Sequence, residues 1–161
     1  MEIYNKYPIS ELTIHPRVQK DFYREPIHPD FFQYAYSNAK APLVFNGDVK
    51  TISDIDDIFN NYPSINAVMI GRGLISNPKL ALEFKKGPKN ESLDQNAFKN
   101  FHNELLAQYI DVLSGEKPVL HRMKEFWVYW ENNYPNEEKL IKKIRKSNKI
   151  SEYKSSVEAL L

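Results

Sequence analysis

The chain has 161 residues, 42% hydrophobic and 27% charged, with a formal net charge of +1; this composition fits a globular protein and excludes a disordered one, while the bulk charge argues neither for nor against nucleic acid. It contains no cysteine, which excludes disulfides and thiolate chemistry among its own side chains. No apolar stretch reaches the roughly 20 residues of a membrane span, and the opening Met-Glu-Ile-Tyr-Asn-Lys lacks the apolar core of a signal peptide, so a cytoplasmic protein with no membrane partner is expected.

Three short apolar runs organise the first half. Leu12-Thr13-Ile14 leads into His15-Pro16-Arg17, Leu43-Val44-Phe45 into Asn46-Gly47-Asp48, and Val68-Met69-Ile70 into Gly71-Arg72-Gly73. His15 and Asn46 stand about 30 positions apart, close to the roughly 30 residues of one strand–helix unit of a (β/α)8 barrel. The runs read as consecutive parallel strands with functional groups at their C-terminal ends, where open sheets and barrels bind ligands.

Between the first two strands, Val18 to Pro29 is irregular, with Pro26 and Pro29 as breakers. A helix is predicted from Asp30 to about Ala39, with Phe31, Tyr34 and Ala35 on one side. The second strand is followed by a helix from about Ser53 to Asn61, striped by Ile55, Ile58 and Phe59. Asp54, Asp56 and Asp57 belong near its N-terminus, where acids favour the dipole; a catalytic carboxylate pair is the lesser reading. After the third strand, Ala67 to Ile70, Asn77-Pro78 opens a short helix that Gly87-Pro88 ends.

Too few residues precede Leu12 to hold the five other units of a barrel, which need on the order of 150. The expected fold is therefore α/β: the C-terminal part of a (β/α)8 TIM barrel, about three strand–helix units over residues 1–88. The Lys, Gly, Pro and Asn of Lys85 to Glu91 read as a linker. An all-α helical bundle is expected over 92–161. Ser92-Leu93-Asp94-Gln95 fits a capping box. The helix it starts puts Phe98, Phe101, Leu105, Tyr109 and Val112 on one face, and Ser114-Gly115 stops it. A second helix, Val119 to about Asn132, carries Leu120, Met123, Phe126 or Trp127, and Trp130. A third, Glu137 to Ser147, carries Leu140, Ile141 and Ile144, and a fourth, Glu152 to Leu161, carries Tyr153, Val157 and Leu160.

Asn46-Gly47-Asp48 and Gly71-Arg72-Gly73 point to phosphate. Glycines let backbone N–H groups approach phosphate oxygens, and Arg72 can grip an anion at two points. In barrels the loops after the last two strands often form such a site. Each motif alone reads as a turn; two of them, one unit apart, favour a binding site. His15 could contact a cofactor ring or carry protons, although a lone histidine is more often structural. Arg17 could hold an anion or a planar base. His28, His102 and His121 show no metal-ligand spacing, and no metal site is expected.

In the second half, Lys139, Lys142, Lys143 and Lys146 recur at helical spacing, with Arg145 and Lys149 beside them. Such a face suits RNA phosphates, and equally a solvated helix surface. Trp127 and Trp130 could stack on bases, but a bundle core is their expected place.

The order His-x-Arg, Asn-Gly-Asp, then Met-Ile-Gly-Arg-Gly with Asn-Pro soon after resembles the flavin-dependent tRNA-dihydrouridine synthases. The likeness continues into the helical half, with Lys124, Trp127 and Tyr129 in a Lys-x-x-Trp-x-Tyr-like stretch. The resemblance implies a TIM barrel holding FMN, a helical tRNA-binding domain, and NADPH as reductant of the flavin, which passes a hydride to a tRNA uridine. It implies that Asn46, Gly47, Asp48, Gly71 and Arg72 line the FMN phosphate and ribityl region, with His15 by the flavin ring. Arg17, Arg122, Lys124, Lys139, Lys142, Lys143 and Lys146 become the RNA contacts. The proton-donating cysteine and a flavin-contacting lysine belong to the family's N-terminal half, which this chain does not match. No catalytic residue is therefore expected here, and the chain alone is expected to be inactive. Pro16 and Val18 stand where the family usually has Gly and Thr around the arginine.

Two other functions compete: another FMN-dependent barrel oxidoreductase acting on a small molecule, and a non-catalytic RNA- or partner-binding protein. A barrel cut after a few strands also leaves open sheet edges, so self-association through them is expected.

Overall fold

The computed structural model describes residues 1–21, 24–87 and 95–161. The chain divides into two compact units, Met1–Lys89 and Asn90–Leu161.

The first unit is α/β. Strands β1 (Leu12–Ile14), β2 (Leu43–Asn46) and β3 (Ala67–Met69) form a parallel sheet in that spatial order. Leu12 pairs with Leu43, Ile14 with Phe45, Val44 with Ala67 and Asn46 with Met69. The middle strand is covered on both faces, which is why Leu43, Val44 and Phe45 form an unbroken apolar run and are all buried. The crossovers carry helices α1 (Pro29–Asn38) and α2 (Ile52–Asn61). Parallel strands require such crossovers, and they bring the three strand ends side by side.

Of the face predicted for helix α1, only Ala35 turns inward. Phe32 and Ala35 are buried, whereas Phe31 and Tyr34 are more than half exposed. Phe32 fixes this choice by packing edge-on against Phe45 at 4.7 Å and Tyr62 at 4.8 Å. Helix α2 starts on a capping box in which the Thr51 hydroxyl accepts from the Asp54 N–H and the Asp54 carboxylate accepts from the Thr51 N–H. Asp54 is thereby a cap, not half of a catalytic pair.

Two short helices follow β3. Helix α3 (Arg72–Ser76) has no counterpart among the predicted elements. Its position depends on Gly73, where an added Cβ would overlap the Val49 carbonyl oxygen. Helix α4 (Leu80–Lys86) begins two residues after Pro78, because the Asn77 side chain caps the preceding turn by accepting from the Lys79 N–H at 3.0 Å. Lys85 and Lys86 form its last turn rather than a linker. Pro88 and the predicted capping box at Ser92 lie outside the described residues.

The described part of the second unit is helical: α5 (Gln95–Val112), α6 (Glu116–Trp130), α7 (Glu138–Lys146) and α8 (Ile150–Glu158). Its core joins Phe98, Met123, Trp127, Trp130, Ile144, Tyr153 and their neighbours. Both tryptophans are buried; Trp130 stacks on Phe126 at 5.2 Å and meets Trp127 edge-on at 5.5 Å. Base stacking by this pair is therefore set aside.

Helix α5 buries Phe98, His102 and Leu106; of the predicted row, Phe98 is buried and Leu105 and Tyr109 pack against the core, while Phe101 and Val112 are exposed. His102 earns its buried place through hydrogen bonds. The Tyr153 hydroxyl accepts from Trp127 Nε1 at 2.8 Å and donates to His102 Nε2 at 2.7 Å, and His102 Nδ1 donates to Asn103 Oδ1 at 3.0 Å.

Candidate functional site

The chain crosses the three strand ends in sharp, fixed turns. Past β2 it passes Gly47 at φ +155° and Asp48 at φ +49°, a left-handed conformation that aspartate tolerates better than most residues. A Cβ at Gly47 would press on Ile27 at 3.0 Å. From β1, the His15 ring donates through Nδ1 to the Asn46 carbonyl oxygen at 2.9 Å. The Asn46 side chain donates onward to the Met69 carbonyl at 2.8 Å, at the end of β3.

Asp48 ties the same three ends together by charge. Its Oδ2 lies 2.5 Å from Arg17 Nη2 and its Oδ1 lies 2.7 Å from Arg72 Nη2. Arg17 also donates to the Glu25 carbonyl, and its side chain is only 5% exposed. Arg17 thus turns into the protein beneath Asp48. Beside it, Asp21 accepts from the Val18 N–H and from His28 Nε2, both at 3.0 Å. Burial raises the Asp21 pKa, but the Val18 and His28 hydrogen bonds and the charges of His28 and Arg17 outweigh it, leaving the carboxyl below its usual value.

These turns enclose a cavity of about 130 Å³ lined by His15, Asn46, Gly47, Asp48, Val49, Lys50, Met69, Gly71, Arg72 and Gly73. All six residues that the sequence assigned to a cofactor are in that lining. Lys50 is an addition; its signal is its place two residues after Asp48 of the Asn-Gly-Asp motif. Among the described residues no cluster of His, Asp and Glu is placed to hold a metal ion.

The basic residues of the second unit separate into two groups. Lys139, Lys142, Lys143 and Lys146 are exposed on one face of α7 and line a shallow concavity with Ser147, Glu152 and Ser156. Ile141 and Ile144 occupy the opposite, buried face. Arg145 points elsewhere and pairs with Glu131 at 3.0 Å. Lys124 is spent structurally: its ammonium donates to the Ser147 carbonyl just past the end of α7. Arg122 is exposed but lies on α6, paired with Glu125 at 3.1 Å. Within the second unit the structure brings together four of the predicted RNA contacts and leaves Arg122 and Lys124 out of that group. Among the described residues no helix is long and apolar enough to cross a membrane.

Comparison with known proteins agrees with these motifs. The dihydrouridine synthase (Dus) family matches residues 3–161. The chain is 27% identical over 139 residues to a tRNA-dihydrouridine(16) synthase of Shewanella oneidensis, a match covering 84% of this chain and 42% of that protein. A tRNA-dihydrouridine(16) synthase of Ralstonia nicotianae is 28% identical over 155 residues, 94% of this chain and 47% of that protein. One from Cupriavidus necator is 27% identical over 154 residues, with the same coverages of 94% and 47%. The chain spans less than half the length of these curated relatives. With a match along nearly its whole length, the chain belongs to the dihydrouridine synthase family.

Proposed function

We propose that this chain is the C-terminal part of a tRNA-dihydrouridine synthase, an oxidoreductase that uses FMN and NADPH to reduce uridine in tRNA. Its first unit would be three consecutive units of a TIM barrel that hold the phosphate end of FMN, and its second a tRNA-binding helical domain. The observation that carries the reading is the shared cavity at three parallel strand ends, lined by His15, Asn46, Gly47, Asp48, Gly71 and Arg72.

The residues fit the group. Arg72 and Lys50 supply cationic donors, and nothing lies within 4 Å of a Cβ added at Gly71, so the backbone there is open to close approach. The volume suits a phosphate and part of a ribityl chain; a whole ligand of drug size needs about 300–1,000 Å³. The ring must then find most of its walls outside this cavity. When bound, FMN supplies the hydride that saturates the uridine ring.

The chain's own residues bind and orient. The Asn46 carbonyl holds His15 with its proton on Nδ1, which sets the ring's tautomer at the cavity mouth. Gly47 and Gly71 would bring backbone N–H groups to the phosphate, and Arg72 would neutralise it. With no cysteine in the sequence, the proton for the uridine would come from outside this chain. The Lys139, Lys142, Lys143 and Lys146 face would take the tRNA backbone through phosphate contacts.

The absorption spectrum of the purified chain tests the reading. Flavin absorbance that stays with the protein through gel filtration after incubation with FMN is expected. Flavin that separates entirely, with unperturbed fluorescence on mixing, would contradict it.

A further inference from the structure

Asp48 poses an electrostatic problem: a carboxylate lines a cavity otherwise suited to a phosphate. Alone it would repel the anion and cancel the charge of Arg72, 2.7 Å away. The structure places a second cation, Arg17, against the other carboxylate oxygen at 2.5 Å. Arg17 is not part of the cavity lining. With its side chain 5% exposed and a second bond to the Glu25 carbonyl, its charge reaches a ligand there from behind Asp48.

We propose that Arg17 is a positioning residue. It neutralises Asp48 from beneath, so that the charge of Arg72 acts on a phosphate monoester in the cavity. This rests on the phosphate reading above and replaces the RNA contact that the resemblance implies for Arg17. Arg17, Asp48 and Arg72 together carry one net positive charge. Arg17→Gln removes it, and adding Asp48→Asn restores it without restoring any contact of Arg17. Asp21, another carboxylate in the field of Arg17, has partners of its own in the Val18 N–H and His28.

The test is an NMR titration of the full chain with inorganic phosphate, then FMN and riboflavin, following the amides of Gly47, Gly71 and Gly73. Arg17→Gln should weaken phosphate about tenfold, the scale of one unit charge at close range in a partly solvated site. The Arg17→Gln/Asp48→Asn double variant should return to within about threefold of the unmodified chain. Unchanged affinity in Arg17→Gln, or a double variant as weak as the single one, would overturn the proposal. If Arg17→Gln fails to fold, Asp48→Asn alone decides: phosphate bound at least as tightly supports the counter-charge, and weaker binding overturns it. If phosphate follows this pattern while FMN binds no better than riboflavin, the FMN reading fails and the counter-charge stands. No phosphate-induced shift in the unmodified chain overturns both.

Discussion

His15 Nδ1 lies 2.9 Å from the carbonyl oxygen of Asn46, a residue one strand–helix unit further along the chain. Asn46 passes the connection to β3 through its side-chain bond to the Met69 carbonyl at 2.8 Å. The strand ends are thus held by directional bonds as well as by the sheet. Asn46→Ala should cost about 1 kcal/mol, the usual net worth of one hydrogen bond. Asn46→Asp should cost more, because it turns a carboxylate toward a carbonyl oxygen. Urea unfolding of both variants checks this; an Asp variant as stable as the parent would contradict the assigned bond.

The His102–Tyr153–Trp127 network predicts a pH dependence. Burial holds the His102 pKa below its ordinary 6.5, while its bond to Asn103 pulls weakly the other way. The unfolded chain therefore takes up a proton as pH falls through about 6.5, before the folded chain does. The unfolded state then binds more protons, so stability is complete above about pH 6.5 and falls from there down to the depressed folded pKa. His102→Gln should flatten that slope. Tyr153→Phe should destabilise by about 2–4 kcal/mol, since it strands a buried indole N–H and a buried imidazole nitrogen. Tryptophan fluorescence during urea unfolding, repeated between about pH 5 and pH 7.5, measures both. Parallel pH curves for parent and His102→Gln would sink the assignment.

RNA binding should map to α7. Replacing Lys139, Lys142, Lys143 and Lys146 with Gln should weaken tRNA binding. It should also lower the slope of log affinity against log salt by about 3, given roughly 0.7–0.9 per phosphate contact. Lys124→Gln should instead lower stability, because its ammonium serves the Ser147 carbonyl. Filter binding at several salt concentrations separates the two; an unchanged slope in the quadruple variant would make the face mere solvation.

Strands β1 and β3 flank β2 and form the two edges of the sheet among the described residues. Unpaired edges invite pairing with a second copy. Sedimentation velocity over a range of concentrations should show a mass that rises with concentration. A strict monomer with slow amide exchange at Leu12–Ile14 and Ala67–Met69 would refute this.

The three strands are legible because a central parallel strand must be apolar throughout and its neighbours nearly so, and each run ends on a turn-forming residue, Pro16 after the first, Asn46-Gly47 after the second and Gly71 after the third. Helix α3 was hidden: five residues with one glycine carry no period. The aromatic positions of α1 and α5 are ambiguous for a shared reason. Each helix holds aromatic residues on two sides, and spacing cannot choose between Phe31 and Phe32, or between the Phe101 and His102 rows. Partners elsewhere decide, Phe45 and Tyr62 for Phe32, and Tyr153 for His102. The cavity residues could be named in advance because they follow strands directly. The inward turn of Arg17 could not, since it depends on Asp48 meeting it from another strand.

Paired fluorescence titrations with FMN and riboflavin test whether the strand ends grip a flavin by its phosphate. The two ligands differ only in that group. FMN should bind at least about tenfold more tightly, and Arg72→Ala should remove most of the difference, since charge-assisted hydrogen bonds are worth about 1.5–3 kcal/mol. Equal affinity for FMN and riboflavin, or a preference for FMN that survives Arg72→Ala undiminished, would contradict the site.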